Sequence, residues 1–186
     1  MKLIIIAGPN GAGKTTIAEL LLTEIGINEF VNVDQIARGL SMFQPDRMAF
    51  QAGRIALDRI NQLLKEHRDF AIETTLSSQS ILNLIRREKK IGYTVILNFH
   101  ALPNEETALK RVQHRVELGG HDIPVKTIRR RFERGLKLLF CVIHNEVDRW
   151  YFYQNLEKAE LAAYKNKNVA VLKELYNEYR NKYIGR

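Results

Sequence analysis

The residues Gly8-Pro9-Asn10-Gly11-Ala12-Gly13-Lys14-Thr15 fill every fixed position of the pattern G-x-x-x-x-G-K-[ST]. Residue types at this spacing do phosphate chemistry. The glycines let successive backbone N–H groups turn inward around a phosphate with no Cβ in the way. A helix that follows adds its positive N-terminal end to the same cradle. Lys14 then serves as a point charge for the β- and γ-phosphates, and the Thr15 hydroxyl as a ligand for Mg²⁺. Gly8, Pro9, Asn10, Gly11, Ala12, Gly13, Lys14, Thr15 and Thr16 are accordingly the expected ATP-binding residues. A Gly-rich turn without a ligand is the alternative, and the flanks argue against it: the apolar run Leu3–Ala7 leads in and an amphipathic stretch to Ile25 leads out.

Two carboxylates stand where such a loop needs them. Asp34 follows the short apolar run Phe30-Val31-Asn32-Val33 and is expected at the C-terminal end of that strand. There it can accept a hydroxyl proton and orient the oxygen for in-line attack. A helix N-cap and an outer partner of Mg²⁺ are its other readings. Glu73 ends a third strand, Phe70-Ala71-Ile72, beside the hydroxyls of Thr74 and Thr75, a set able to bind a polyol or sugar. Capping of the next helix by Thr75 or Ser77 is compatible with that role. Asp34, Glu73, Thr74 and Thr75 are thus the candidate substrate-binding residues, and Thr15 the candidate metal ligand.

Charge is concentrated. The net charge is +8, and nine basic residues face three acids between Lys110 and Lys137. Arg111 and Arg115 share one helix face, and Arg130, Arg134 and Lys137 another. Two basic helices joined at Gly119-Gly120 read as a lid, spanning about residues 103–140, that closes over a triphosphate. Arginines brought to the γ-phosphate stabilise transition-state charge, and Arg115 and Arg130 are the candidates beside Lys14 and Asp34. The same basic stretch is the sole support for a nucleic-acid-binding ATPase. Phe132 is the one aromatic residue interleaved with it, which favours the lid. His121, after the glycine pair, is a candidate phosphate contact or a plain loop residue.

The elements needed to hold these groups alternate along the chain. Strands are expected at Lys2–Ala7, Phe30–Val33, Phe70–Ile72, Tyr93–Phe99, Trp150–Tyr153 and Leu161–Tyr164. Helices are expected from Thr15, from Pro45 to about His67, from Leu76 to Ile91, after Pro103, from about Pro124, and from about Val169 to Tyr183, with Lys165–Asn168 a loop. This alternation predicts an α/β phosphate-loop fold: a parallel sheet of five to six strands, helices on both faces, ligands beyond the carboxyl ends of the strands. The 186 residues suit a single domain, and 45% hydrophobic with 27% charged residues suits a soluble protein. No apolar run approaches the ~18 residues of a membrane span. Met1-Lys2 leaves no room for a signal peptide, and the lone Cys141, in an apolar stretch, reads as a packed thiol; a cytoplasmic protein is the expectation.

The combination GPNGAGKTT at Gly8–Thr16, VNVD at Val31–Asp34, ETTLS at Glu73–Ser77, RVQHRVELGGHDIP at Arg111–Pro124 and IRRRFERGLKLL at Ile128–Leu139 resembles the zeta-toxin family of phosphate-loop kinases, in the branch often labelled predicted ABC-type ATPases. The resemblance covers most of the chain up to Trp150. It implies ATP- and Mg²⁺-dependent phosphorylation of a hydroxyl of UDP-N-acetylglucosamine, with Asp34 as base, Lys14 and Thr15 on phosphate and Mg²⁺, Glu73 and Thr75 on the sugar nucleotide, and lid arginines on the γ-phosphate. An antitoxin protein is the partner it implies. Toxins of the best-known type carry an arginine shortly after the Glu-x-Thr element, where this chain has Ser77 and Ser78. Nothing supports the ABC label: there is no L-S-G-G-Q signature. A kinase for another metabolite or a nucleotide is the reading next in line.

Overall fold

In the computed structural model, residues 1–120, 122–156, 158–166 and 169–184 are described. The strand β1 (Lys2–Ala7) is buried from Leu3 onward. Its side chains alternate between two cores: Leu3, Ile5 and Ala7 enter one, Ile4 and Ile6 the other. A central strand covered on both faces has that pattern. The helix α1 (Lys14–Glu24) packs Ala18 and Leu22 into the smaller core.

The chain continues through β2 (Phe30–Val31), α2 (Val33–Leu40), a 3-10 turn (Pro45–Met48), α3 (Ala49–Lys65), β3 (Phe70–Thr74), α4 (Ser80–Lys90) and β4 (Thr94–Ala101). Then come α5 (Glu105–Glu117), α6 (Val125–Leu138), a π-helical turn (Leu139–Ile143), α7 (His144–Glu146), β5 (Arg149–Asn155), β6 (Ala159–Asn166), β7 (Val169–Leu172) and α8 (Glu174–Ile184). The strands form one seven-stranded sheet in the order β2-β3-β1-β4-β5-β6-β7. From β2 to β5 all pairings are parallel, while β6 and β7 add on antiparallel. The strand order reverses at β1, which pairs with both β3 and β4 (Ile5 opposite Ile72 and Leu97). A crevice at such a switch point is where α/β sheets hold ligands.

Several expectations are corrected here. The sheet has seven strands, because Val169–Leu172 extends the sheet instead of opening the last helix: Asn166 stands opposite Val169 and Tyr164 opposite Val171. Four consecutive apolar residues carry no period that separates strand from helix. The strand before Asp34 stops at Val31, so Asp34 lies in the first turn of α2. The segment after β3 does not become helical at Leu76: that residue is fully buried at φ +57°, and α4 waits until Ser80. Cys141 is exposed, on the outer side of the π-helical turn, while its neighbours Phe140 and Ile143 point inward. The aromatic run of β5 is core, as its alternation suggests, with Trp150 and Phe152 buried.

The two basic helices are both fixed to the body of the sheet. Ala108 and Val112 of α5, Ile128, Phe132 and Leu136 of α6, and Leu139 of the π-helical turn belong to the same core as β1 and β4. Their cationic faces are therefore held at the sheet's ligand edge by buried apolar stripes. Among the described residues no helix is long and apolar enough to cross a membrane.

Candidate active site

The loop after β1 is shaped by its glycines. Gly8 sits at φ +148°, and a Cβ there would stand 2.2 Å from the carbonyl oxygen of His100 on β4. Gly13, at φ +74°, precedes α1 in the left-handed conformation that exposes successive N–H groups on one side. The loop is braced from outside. Gly11 presses on α5, where a Cβ would meet Ala108 and Arg111. Asn155, at the end of β5, donates Nδ2 to the Ala12 carbonyl at 2.8 Å. Arg111 donates to Gly11 O at 3.5 Å and also to the Leu156 carbonyl.

At the mouth of this loop Glu73 is the organising carboxylate. Its Oε2 accepts from the Thr15 hydroxyl at 2.8 Å and from Asn32 Nδ2 at 2.7 Å. Its Oε1 lies 3.7 Å from Lys14 Nζ, which also donates to the Pro9 carbonyl at 3.0 Å. Lys14 is 7% exposed. Burial pushes its ammonium below the ordinary lysine range, Glu73 and Asp34 pull it back up, and the Arg115 guanidinium adds to the lowering. Asn32 does two jobs. Its Oδ1 caps α2 by accepting from Gln35 N at 3.1 Å while its amide holds Glu73. It takes the capping role that was one reading of Asp34, and it leaves the Asp34 carboxylate exposed in the positive first turn of α2.

Two adjoining clefts meet at these groups. One, of about 350 Å³, is lined by Asn10, Gly11 and Gly13–Thr16 of the phosphate loop, by Asp34 and Glu73, and by Arg111 and Arg115. The other, of about 180 Å³, holds Lys14, Asp34, Glu73, Thr74 and Thr75 together with Arg131. The structure thus brings the loop, Asp34, Glu73, both threonines and Arg115 into one crevice. Arg130 lies one cleft further on, in a space it shares with Asp34 and Arg131. The Thr74 hydroxyl accepts from Leu76 N at 3.0 Å, and that of Thr75 is 2.9 Å from Ser77 Oγ. His121 lies outside the described residues.

Three contributors escape sequence reasoning. Asn32 carries a usable signal, since Asn-x-x-Gln at Asn32–Gln35 is a helix-start pattern. Arg131 carries none, because three consecutive arginines do not reveal which one faces the carboxylates. His100 is 2% exposed beneath the loop, stacked on Tyr153 at 5.0 Å, with both ring nitrogens buried and unbonded. Its burial, against a smaller upward pull from the Asn155 side chain, lowers its pKa to about 4.

A metal ion fits this donor set. Among the described residues no cluster of three His, Cys, Asp or Glu exists, yet Mg²⁺ held mainly by phosphate and water needs only one or two hard oxygen ligands. The Thr15 hydroxyl and the Glu73 carboxylate are such oxygens.

Fold and crevice define a phosphate-loop α/β protein of the nucleoside-triphosphate-binding type. Residues 3–136 match the family described as AAA domain, and the chain belongs to that family. An uncharacterized protein of Haemophilus influenzae is 30% identical over 131 residues, which is 70% of this chain and 92% of that protein. Among solved structures, the AvrRxo1-ORF1:ORF2 complex with ATP aligns with a TM-score of 0.80 at 18% identity, covering 96% of this chain and 63% of that one. This chain therefore spans less than two thirds of that protein. The PezAT chromosomal toxin-antitoxin system of Streptococcus pneumoniae aligns with a TM-score of 0.66 at 19% identity, over 100% of this chain and 79% of that one. Both likenesses are of fold.

Proposed function

We propose that the protein is an ATP-dependent kinase that transfers the γ-phosphate to a hydroxyl of a sugar nucleotide of the UDP-N-acetylglucosamine type. The observation that carries this reading is the division of labour between two carboxylates in one crevice. Glu73 is committed to Thr15, Asn32 and Lys14. Asp34 makes no hydrogen bond among the described residues and faces the same space. One carboxylate is used to build the site, and one is available to a substrate.

In this reading backbone N–H groups between Asn10 and Thr15 and the Lys14 ammonium bind the β- and γ-phosphates. Lys14 exchanges its contact with the Pro9 carbonyl for a charged oxygen, which is the stronger partner. Mg²⁺, bound by Thr15 with Glu73 behind it, would neutralise phosphate charge. Asp34 accepts the proton of the acceptor hydroxyl as that oxygen attacks phosphorus, and the leaving oxygen remains on ADP. Thr74 and Thr75 position the sugar. Arg115, on the loop side, and Arg130 or Arg131, on the acceptor side, stabilise charge on the transferring phosphoryl group. The whole chain acts as one domain in this scheme. A role as a toxin, restrained by an antitoxin, is the biological setting that the PezAT likeness supports.

The test is phosphate transfer from labelled ATP with Mg²⁺ to UDP-N-acetylglucosamine, with Asp34→Asn as control. Wild-type transfer should fall by about 10²–10⁴-fold in the variant while ATP binding stays near normal. Slow hydrolysis of ATP with no transfer would reject this acceptor, and full transfer by Asp34→Asn would reject the base.

A further inference from the structure

An amide buried at a strand end loses its water and needs polar partners in return. Asn155, the last residue of β5 and 7% exposed, finds one 143 positions away: its Nδ2 donates to the Ala12 carbonyl at 2.8 Å. The other end of the amide faces β4. The Asn155 side chain raises the affinity of the buried His100 ring for a proton, so Oδ1 is turned toward that ring and Nδ2 toward the loop. Oδ1 and both ring nitrogens are buried and unbonded, so nothing else competes for the amide. The phosphate loop is thus pinned at two points, with Gly8 against the His100 carbonyl on β4 and Ala12 on β5.

The second pin decides where a donor points. The Ala12–Gly13 peptide is trans and planar, which places the Gly13 N–H opposite the Ala12 carbonyl. Holding that carbonyl toward β5 aims the Gly13 N–H the other way, and the other way is the cleft. Asn10, Gly11 and Gly13–Thr16 line that cleft, whereas Ala12 is fully buried and does not. The Ala12 N–H is already used, on the Pro9 carbonyl at 3.3 Å, while the Gly13 N–H has no partner among the described residues. It joins the N–H groups of the first turn of α1, which have no intrahelical acceptor, in one set of donors. Nothing inside the loop fixes this peptide. Gly13, at φ +74°, tolerates either sign of φ, so the peptide can turn over unless something outside holds it.

We propose that Asn155 is a positioning residue of the phosphate loop: by holding the Ala12 carbonyl it keeps the Gly13 N–H turned toward the bound phosphates. Asn155 touches no ligand and acts through Gly13. The inference rests on nucleotide binding by the loop, and not on phosphate transfer or on the acceptor. Without Asn155 the peptide has to be ordered at the moment of binding, which weakens the complex.

The experiment is calorimetric titration of wild type, Asn155→Leu and Val147→Ala with MgADP, together with the Gly13 amide resonance of the same proteins in isotope-labelled form. Leucine is close in volume to asparagine and lacks the donor. Val147 is buried in the main core before the far end of β5, about 20 Å from Asn155 at the rise of a strand. Its truncation costs stability without touching the loop. Asn155→Leu should bind MgADP at least about tenfold more weakly, the loss of one hydrogen bond to a charged oxygen. Val147→Ala should stay within about twofold of wild type. MgADP should move the Gly13 amide resonance downfield in wild type and Val147→Ala but not in Asn155→Leu. Unchanged affinity in Asn155→Leu, equal weakening in Val147→Ala, or a wild-type Gly13 shift in Asn155→Leu overturns the inference. If leucine prevents folding, Asn155→Ala is read by the same outcomes. Asn155-dependent MgADP binding without phosphate transfer keeps the positioning role and rejects the kinase reading. Transfer at an unchanged KM for ATP in Asn155→Leu keeps the kinase and rejects the positioning role.

Discussion

Gly135 of α6 lies so close to Thr75 that a Cβ at this glycine would stand 2.6 Å from the Thr75 carbonyl oxygen. The helix that carries the arginines is thereby seated directly on the strand end that carries the candidate substrate threonines. This contact, together with the buried stripe Ile128, Phe132 and Leu136, sets where Arg130 and Arg131 stand at the crevice.

Gly135→Ala should therefore damage both stability and site. The clash is between two backbones, so α6 or the strand end must move, at about 1–3 kcal/mol. Better helix propensity offsets roughly 1 kcal/mol of that. Gly53 in α3 has nothing within 4 Å of the point where a Cβ would stand, so Gly53→Ala should raise stability. Urea unfolding of the two variants should move in opposite directions, and a rise for both would show that α6 is not seated on Thr75.

Lys14→Met should separate stability from function. Burial holds the Lys14 pKa below its ordinary value in the folded state, so the charged form is disfavoured by folding. The penalty is in force at pH 7 and is relieved only as pH rises through the folded value towards 10.5. An apolar replacement of similar length removes it. The melting temperature at pH 7 should rise by about 2–4 °C, while transfer falls by at least about 10²-fold. A lower melting temperature would mean that the pairing with Glu73 outweighs desolvation.

What is legible in the sequence is local. The phosphate loop can be read because its backbone conformation is written in closely spaced glycines, and β1 because a run of consecutive apolar residues marks a central strand. Glu73 can be placed at a strand end, but its commitment to Thr15 and Asn32 joins residues 58 and 41 positions apart, a separation no local pattern reports. Asp34 is legible as a carboxylate at the right edge, although it stands on a helix and not a strand, because β2 is too short for period 2 to show. The choice among Arg129, Arg130 and Arg131 depends on the rotation of α6. Its buried stripe at Ile128, Phe132 and Leu136 fixes that rotation, and Gly135 fixes its depth.

Glu73→Gln tests whether Glu73 exists for Lys14. A glutamine oxygen can still accept from Thr15 and Asn32, but its amide would face the Lys14 ammonium, leaving a buried cation with only the weaker influence of Asp34. In wild type this should cost about 3–5 kcal/mol. In the Lys14→Met background the same substitution should cost under about 1 kcal/mol, since no cation is left to strand. Chemical denaturation of the four proteins gives the coupling directly. Additive effects would place the role of Glu73 with Thr15 and Asn32 alone.

His100 should make the protein acid-sensitive through the back of the phosphate loop. Its pKa is lowered from 6.5 to about 4, chiefly by burial. Between those values the unfolded chain binds a proton that the folded chain refuses, so stability falls as pH drops from 6.5 and levels off below about 4. The full effect is about 3 kcal/mol. His100→Phe keeps the stack on Tyr153 and cannot take up a proton, so it should flatten most of that slope. Some slope remains, because burial lowers His144 in the same direction. The check is urea unfolding from about pH 7 to about pH 4 for both proteins. Identical slopes would show that the imidazole accepts its proton without disturbing the loop, as a ring free to reach Asn155 Oδ1 would.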